Sequence, residues 1–111
     1  MAGGDAITTM EQWRAAGLTE TVVYRPVGGD SRQIQAVVDR DAPAEAAGNN
    51  ATGLPLRLTV LNDGSLGVSS AELDRGGDGF DVPELPGRAT ARRLVVRVES
   101  ADDDWLMLAV I

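Results

Sequence analysis

Histidine, cysteine and lysine are all missing from this chain of 111 residues, and each absence closes a branch of chemistry. Without cysteine there is no thiolate nucleophile, no disulfide and no thiolate zinc site. Without histidine there is no imidazole base and no usual transition-metal ligand. Without lysine there is no side-chain amine to form a Schiff base, because all ten cationic residues are arginine. Aromatic residues are scarce at 4%. No apolar run approaches the roughly 18 residues that span a bilayer, so no membrane partner is expected. The opening "MAGGDAITTMEQWR" has no basic stretch followed by an apolar one, so a secretory signal is not expected and the cytoplasm is the expected compartment.

The charge balance is acidic, with a net charge of −7 and an isoelectric point near 4.4. Counterion release from a polyanion needs clustered cations, so nucleic acid is not an expected partner. With 43% hydrophobic and 24% charged residues, the chain has the composition of one soluble globular domain. The chemistry left open is that of carboxylates: an acid pair of the glycosidase type, or a calcium or magnesium site of oxygen ligands.

Residues 1–19 read as a flexible N-terminal segment holding one short helix. Residues 1–8 are small and polar and are expected to be disordered. Thr8 then caps a helix with Glu11 three residues on; Met10, Trp13 and Ala16 share a face, and Gly17 supplies the stop. From residue 20 to 111 the period becomes two. Strands are expected at 21–27 and 32–40, joined at Gly28-Gly29-Asp30, with Ile34, Ala36 and Val38 on one face. Residues 41–54 read as a long mobile loop. Further strands are expected at 55–61, with Leu56, Leu58 and Val60 inward, at 66–68 after the Asn62-Asp63-Gly64 turn, at 80–82, at 91–100 and at 104–111. The last two form a hairpin across Ala101-Asp102-Asp103. The expected class is mainly β: a small antiparallel β-barrel or sandwich of six to seven short strands with one short N-terminal helix.

The stretch "ELDRGGDGFDV" (72–82) crowds acids and glycines as a metal or phosphate loop would. Asp74, Asp78 and Asp81 are spaced four and three apart, whereas an EF-hand places its ligands at alternate positions before a bidentate Glu. "GGDG" lacks both the Gly-Lys-Ser/Thr ending and a following helix to hold an anion. A turn is the better reading: Ser69 and Glu72 close one helical turn, Gly76 and Gly77 permit a positive φ, and the acids face solvent or a neighbouring subunit. No catalytic residue and no cofactor is nominated. The candidates for a partner interface are Met10 and Trp13, on a helix too short to stand alone that packs either on a partner or over one end of its own barrel, and Asp41, Asn49 and Asn50 in the long loop, which would order on contact.

Three segments together, Val38-Asp39-Arg40-Asp41-Ala42-Pro43, Gly77-Asp78-Gly79-Phe80-Asp81-Val82 and the hairpin from Arg97 to Leu108, resemble the lambda-type phage and prophage head–tail joining (tail-attachment) proteins over residues 32–111. The resemblance implies a small β-barrel that is monomeric in solution and joins a ring, hexameric in that family, where the filled head meets the tail. Its partners would be head connector and tail proteins, and its place the cytoplasm of a bacterial host or the virion. The N-terminal segment and the long loop would order on assembly. A tail terminator or connector subunit is the neighbouring role. The alternative from another class is a soluble β-barrel that binds Ca2+ or a saccharide through carboxylates.

Overall fold

The computed structural model describes residues 3–40, 56–73, 77–83 and 89–111. One helix, α1 (Gly4–Ala15), precedes six strands: β1 (Glu20–Arg25), β2 (Arg32–Asp39), β3 (Leu56–Leu61), β4 (Gly79–Pro83), β5 (Thr90–Ala101) and β6 (Trp105–Val110). The strands close into an antiparallel barrel in the order β1-β2-β3-β6-β5-β4, with β4 pairing back onto β1.

Alternation built this barrel. Val22 faces Ile34 across β1 and β2, Leu58 faces Leu108 across β3 and β6, and Tyr24 faces Phe80 across β1 and β4. All of these side chains are buried in one cluster with Ala36, Leu56, Val60, Val82, Val95, Leu106 and Val110. Each fully buried large apolar side chain of this kind contributes about 1.5–3 kcal/mol. Closure lets every inward position of the six strands meet that single core.

The helix differs from the sequence expectation at its start. It begins at Gly4 with Gly3 as its N-cap, and Thr8 lies exposed inside it. Packing sets the boundary: Ala6 and Met10, one turn apart, are buried against Leu61, with Ile7, Trp13 and Trp105 around them. Trp13 stacks on Trp105 with ring centroids 5.1 Å apart. The Gly3 amide, which has no helical partner, donates to Asp104 Oδ1 at 2.8 Å. Residues 3–8 are therefore ordered. Ala16 lies outside the docked face and is exposed. The stop is as expected: Gly17 has φ 78°, the Leu18 amide bonds the Trp13 carbonyl and the Gly17 amide bonds the Arg14 carbonyl, a Schellman ending.

The expected strand at 66–68 is absent. Residues 62–73 instead form a cap across the end of the barrel where β3 stops. Asp63 Oδ1 accepts the amides of Ser65 and Leu66, which turns the chain, and Asn62 ties the cap to β5–β6 by donating to the Asp102 carbonyl at 2.6 Å. Val68 then drops into the core, fully buried, with its amide on the Leu61 carbonyl. Ser69 and Glu72 close one turn reciprocally, as the sequence suggested: Ser69 N donates to Glu72 Oε2 and Glu72 N meets Ser69 Oγ. Arg32 clamps the cap to β2 through the Gly67 carbonyl and Glu72 Oε1, and lies over the Tyr24 ring.

Candidate interaction surface

Two of the carboxylates singled out in the sequence, Asp78 and Asp81, are structural. Asp78 is buried just before β4, where it accepts hydrogen bonds from the Tyr24 hydroxyl and, at 2.8 Å, from the Val27 amide. It joins the β1–β2 turn to the start of β4. Asp81 sits three residues on, on the outer face, where it accepts from Arg25 Nε and from Arg92 Nε. Asp78 and Asp81 thus face different sides of the strand and neither faces open solvent, contrary to the solvent-facing reading. Asp74 lies outside the described residues, as do Asp41, Asn49 and Asn50. Among the described residues no three His, Cys, Asp or Glu side chains converge to hold a metal ion. The Asp102 turn is also occupied: its Oδ1 accepts the amides of Asp104 and Trp105.

Burial and the neighbouring Asp78 push the Tyr24 hydroxyl well above the ordinary phenol range. The Leu66 and Ser65 amides hold Asp63 below the ordinary carboxylate range. For Asp81 and Glu72, burial alone would raise the value, but hydrogen bonds outweigh it and both are lowered: Arg25 and Arg92 act on Asp81, and the Ser69 amide and Arg32 on Glu72. The lowered carboxylates stabilise the fold fully above their unfolded pKa near ~4 and lose that contribution as pH falls. Tyr24 has the opposite sign: its contribution is complete below the unfolded pKa of about 10 and is lost as pH rises further. With no histidine, cysteine or lysine to titrate between, urea unfolding should give a stability plateau from about pH 5 to 9 with a loss on each side. Tyr24→Phe should flatten the alkaline limb, and a limb that survives unchanged would refute the assignment.

Glycine shapes the outer face of β4. Gly79 pairs with Arg25 on β1 and Leu94 on β5. A Cβ there would meet the Arg93 carbonyl oxygen at 2.8 Å and the Leu94 side chain at 3.5 Å. A Cβ on Gly77 would fall 2.4 Å from the Val27 side chain. Gly77 has no positive φ, so the expectation that it supplies one is replaced by this close approach. The side chains of Val27 and Leu94 therefore lie over bare backbone, and with Val96 they make an apolar row that is 63%, 53% and 42% exposed. Arg25 and Arg92 stand beside it, lining an open cleft of about 420 Å3 with Pro26, Val27 and Gly77.

The row is carried by the β1–β2 turn and by β5, which lies two strands from β3, the strand that α1 packs on. The helix side carries a second feature, a smaller cleft of about 140 Å3 between α1 and the barrel, lined by Ile7, Met10, Leu61 and Leu66 with Glu11, Arg14 and Gln35. Family models, curated proteins and solved structures all fail to match the chain. Met10 and Trp13, candidates for a partner interface, pack inside the chain: Met10 is buried under α1 and Trp13 is half-buried on Trp105. The pair covers one end of the barrel core, and Trp13 keeps part of its surface exposed. The residues that sequence reasoning passed over are Val27, Leu94 and Val96. The signal lay in Leu94-Val95-Val96, three consecutive apolar residues where a strand with one buried face should alternate.

Proposed function

We propose that the protein is a structural assembly subunit of a phage or prophage particle, joining head to tail through protein contacts in a ring and without turnover. The observation that carries this reading is the exposed apolar row of Val27, Leu94 and Val96 on a barrel whose interior is filled by its own side chains. Large apolar side chains grouped on an outer strand face, with arginine beside them, are the features of a protein-contacting surface. The likeness of residues 32–111 to the joining proteins supplies the kind of partner. Calcium or saccharide binding through the carboxylates gains no support, since Asp63, Asp78 and Asp81 already accept hydrogen bonds from the chain itself.

The deciding experiment mixes the purified full chain with the capsid connector and tail-tube proteins of the same genome and inspects the products by negative-stain microscopy. Rings capping the connector or tail are the expected result. A chain that leaves both components unbound, or that binds Ca2+ or a saccharide instead, would overturn the proposal.

A further inference from the structure

The open cleft beside the β1–β2 turn holds charged groups that the chain itself leaves partly unused. Arg25 on β1 and Arg92 on β5 flank β4, and both bond the carboxylate of Asp81 between them, Arg25 Nε on Oδ2 and Arg92 Nε on Oδ1. Each guanidinium uses only its Nε, and among the described residues its two terminal NH2 groups make no hydrogen bond. The side chains remain 41% and 56% exposed. Asp30 lines the same cleft from the turn; it is exposed, and among the described residues it makes no hydrogen bond or ion pair. It therefore lies out of contact with both arginines. In this it differs from Asp63, Asp78, Asp81 and Asp102, all of which accept bonds from the chain. The turn itself is fixed: Gly28 bends it with φ 75°, and the Val27 amide is held by Asp78.

We infer that this cleft binds a small amino carboxylate, a molecule with a carboxylate at one end and an ammonium group at the other. Charge selects the ligand. Arg25 and Arg92 over Asp81 leave a surplus positive charge, Asp30 supplies a negative one, and together these groups sum to zero on a chain of net charge −7. A dianion such as phosphate would meet both carboxylates with a single surplus cation to hold it, and a simple cation would meet the guanidinium groups. An amino carboxylate suits both ends: its planar carboxylate accepts from the unused NH2 groups of the arginines, and its ammonium donates to Asp30. Asp81 already holds the two arginine side chains, so little of their rotamer freedom is left to lose on binding. A volume of about 420 Å3 falls in the range of small-molecule sites. The charges are exposed and screened, so the affinity is millimolar. The inference goes beyond the assembly reading and does not depend on it, since it needs neither a second copy nor a connector or tail protein.

Titrating the isotope-labelled full chain with amino carboxylates of increasing length (glycine, β-alanine, γ-aminobutyrate and ε-aminocaproate) and following its resonances by NMR tests this. The amides of Gly29, Ser31 and Gly77 and the Nε–H of Arg25 and Arg92 should shift saturably, with a Kd of about 1–10 mM for the best-fitting length. Acetate and ethylammonium, each carrying one of the two charges, should bind that site about tenfold more weakly or worse. Arg92→Gln should weaken acetate and the amino carboxylates alike. Asp30→Asn should weaken the amino carboxylates about tenfold while acetate binds no worse, a split that a merely structural loss would not produce. Both substitutions are at exposed positions, and Asp81 keeps Arg25 when Arg92 is changed. The absence of any saturable shift up to about 100 mM would overturn the inference. So would acetate or inorganic phosphate binding as tightly as every amino carboxylate, or an Asp30→Asn variant that binds the amino carboxylates as the wild type does.

Discussion

Asp78→Ala should cost the folded protein about 2–5 kcal/mol and lower its melting temperature by roughly 10–20 °C. Two donors lose their acceptor at once: the hydroxyl of Tyr24, whose side chain is fully buried, and the part-buried Val27 amide. The Tyr24 hydroxyl cannot recover a water partner without opening the barrel end, so it bears a desolvation penalty of about 1–3 kcal/mol, and the Val27 amide adds the loss of a hydrogen bond to a charged group. Asp78→Asn should cost less, because its carbonyl oxygen still accepts one bond and its amide can donate to the Tyr24 oxygen. Tyr24→Phe removes one of the stranded donors, so the double variant Tyr24→Phe/Asp78→Ala should be destabilised by less than the two single losses added together. Urea unfolding of the wild type and the four variants measures this. A change within about 0.5 kcal/mol for Asp78→Ala, the size of an ordinary surface substitution, would show that the carboxylate does not organise this end of the barrel.

A comparable loss is expected from a single methyl group at Gly67. An added Cβ would sit 2.1 Å from the Leu61 carbonyl oxygen and 2.9 Å from its carbon, both backbone atoms of β3. Nothing flexible can move aside. Relief requires the cap to lift, which breaks the Val68 amide bond to that same oxygen, withdraws Val68 from the core and loosens the Arg32 bonds to the Gly67 carbonyl. Gly67→Ala should therefore cost about 3 kcal/mol or more, at or above the upper end of overpacking penalties. Gly64→Ala, in the same cap, is the control: its Cβ would meet only Glu72 Oε2 at 3.7 Å, an ordinary contact. Thermal melts of the two variants should separate clearly, and equal melting temperatures would refute the packing argument.

These two positions also mark where reading the sequence succeeded and where it stopped. The strands were legible because one face of each is buried: Ile34 and Ala36, or Leu56, Leu58 and Val60, can alternate with polar residues only in a sheet over a single core. The barrel closure was only half legible, because it depends on β4 returning to β1, a pairing between residues more than fifty positions apart. Within the cap at 62–73 only residues 66–68 read as a strand, while the turn at 62–64 and the Ser69–Glu72 turn were legible. Its local signal, Asp-Gly then an apolar triplet, is that of a hairpin, and only the bonds of Asn62 and Arg32 to distant segments distinguish the two. The helix start was misplaced for the same reason. Thr8 is a good cap by propensity, yet burying Ala6 against Leu61 outweighs it. The acids of "ELDRGGDGFDV" looked like surface charge since nothing local announces that Tyr24 and Arg25, some fifty residues upstream, are their partners.

Closure of the barrel has a consequence for recognition. Every strand already has a hydrogen-bonded neighbour on each side over at least part of its length, so among the described residues no strand has a whole edge free to receive an extra strand by main-chain pairing. That narrows the commonest route by which β-rich chains aggregate. It also means that a binding protein must read this molecule through side chains, where one residue exchanged on a strand's outer face alters specificity without disturbing the ladder beneath.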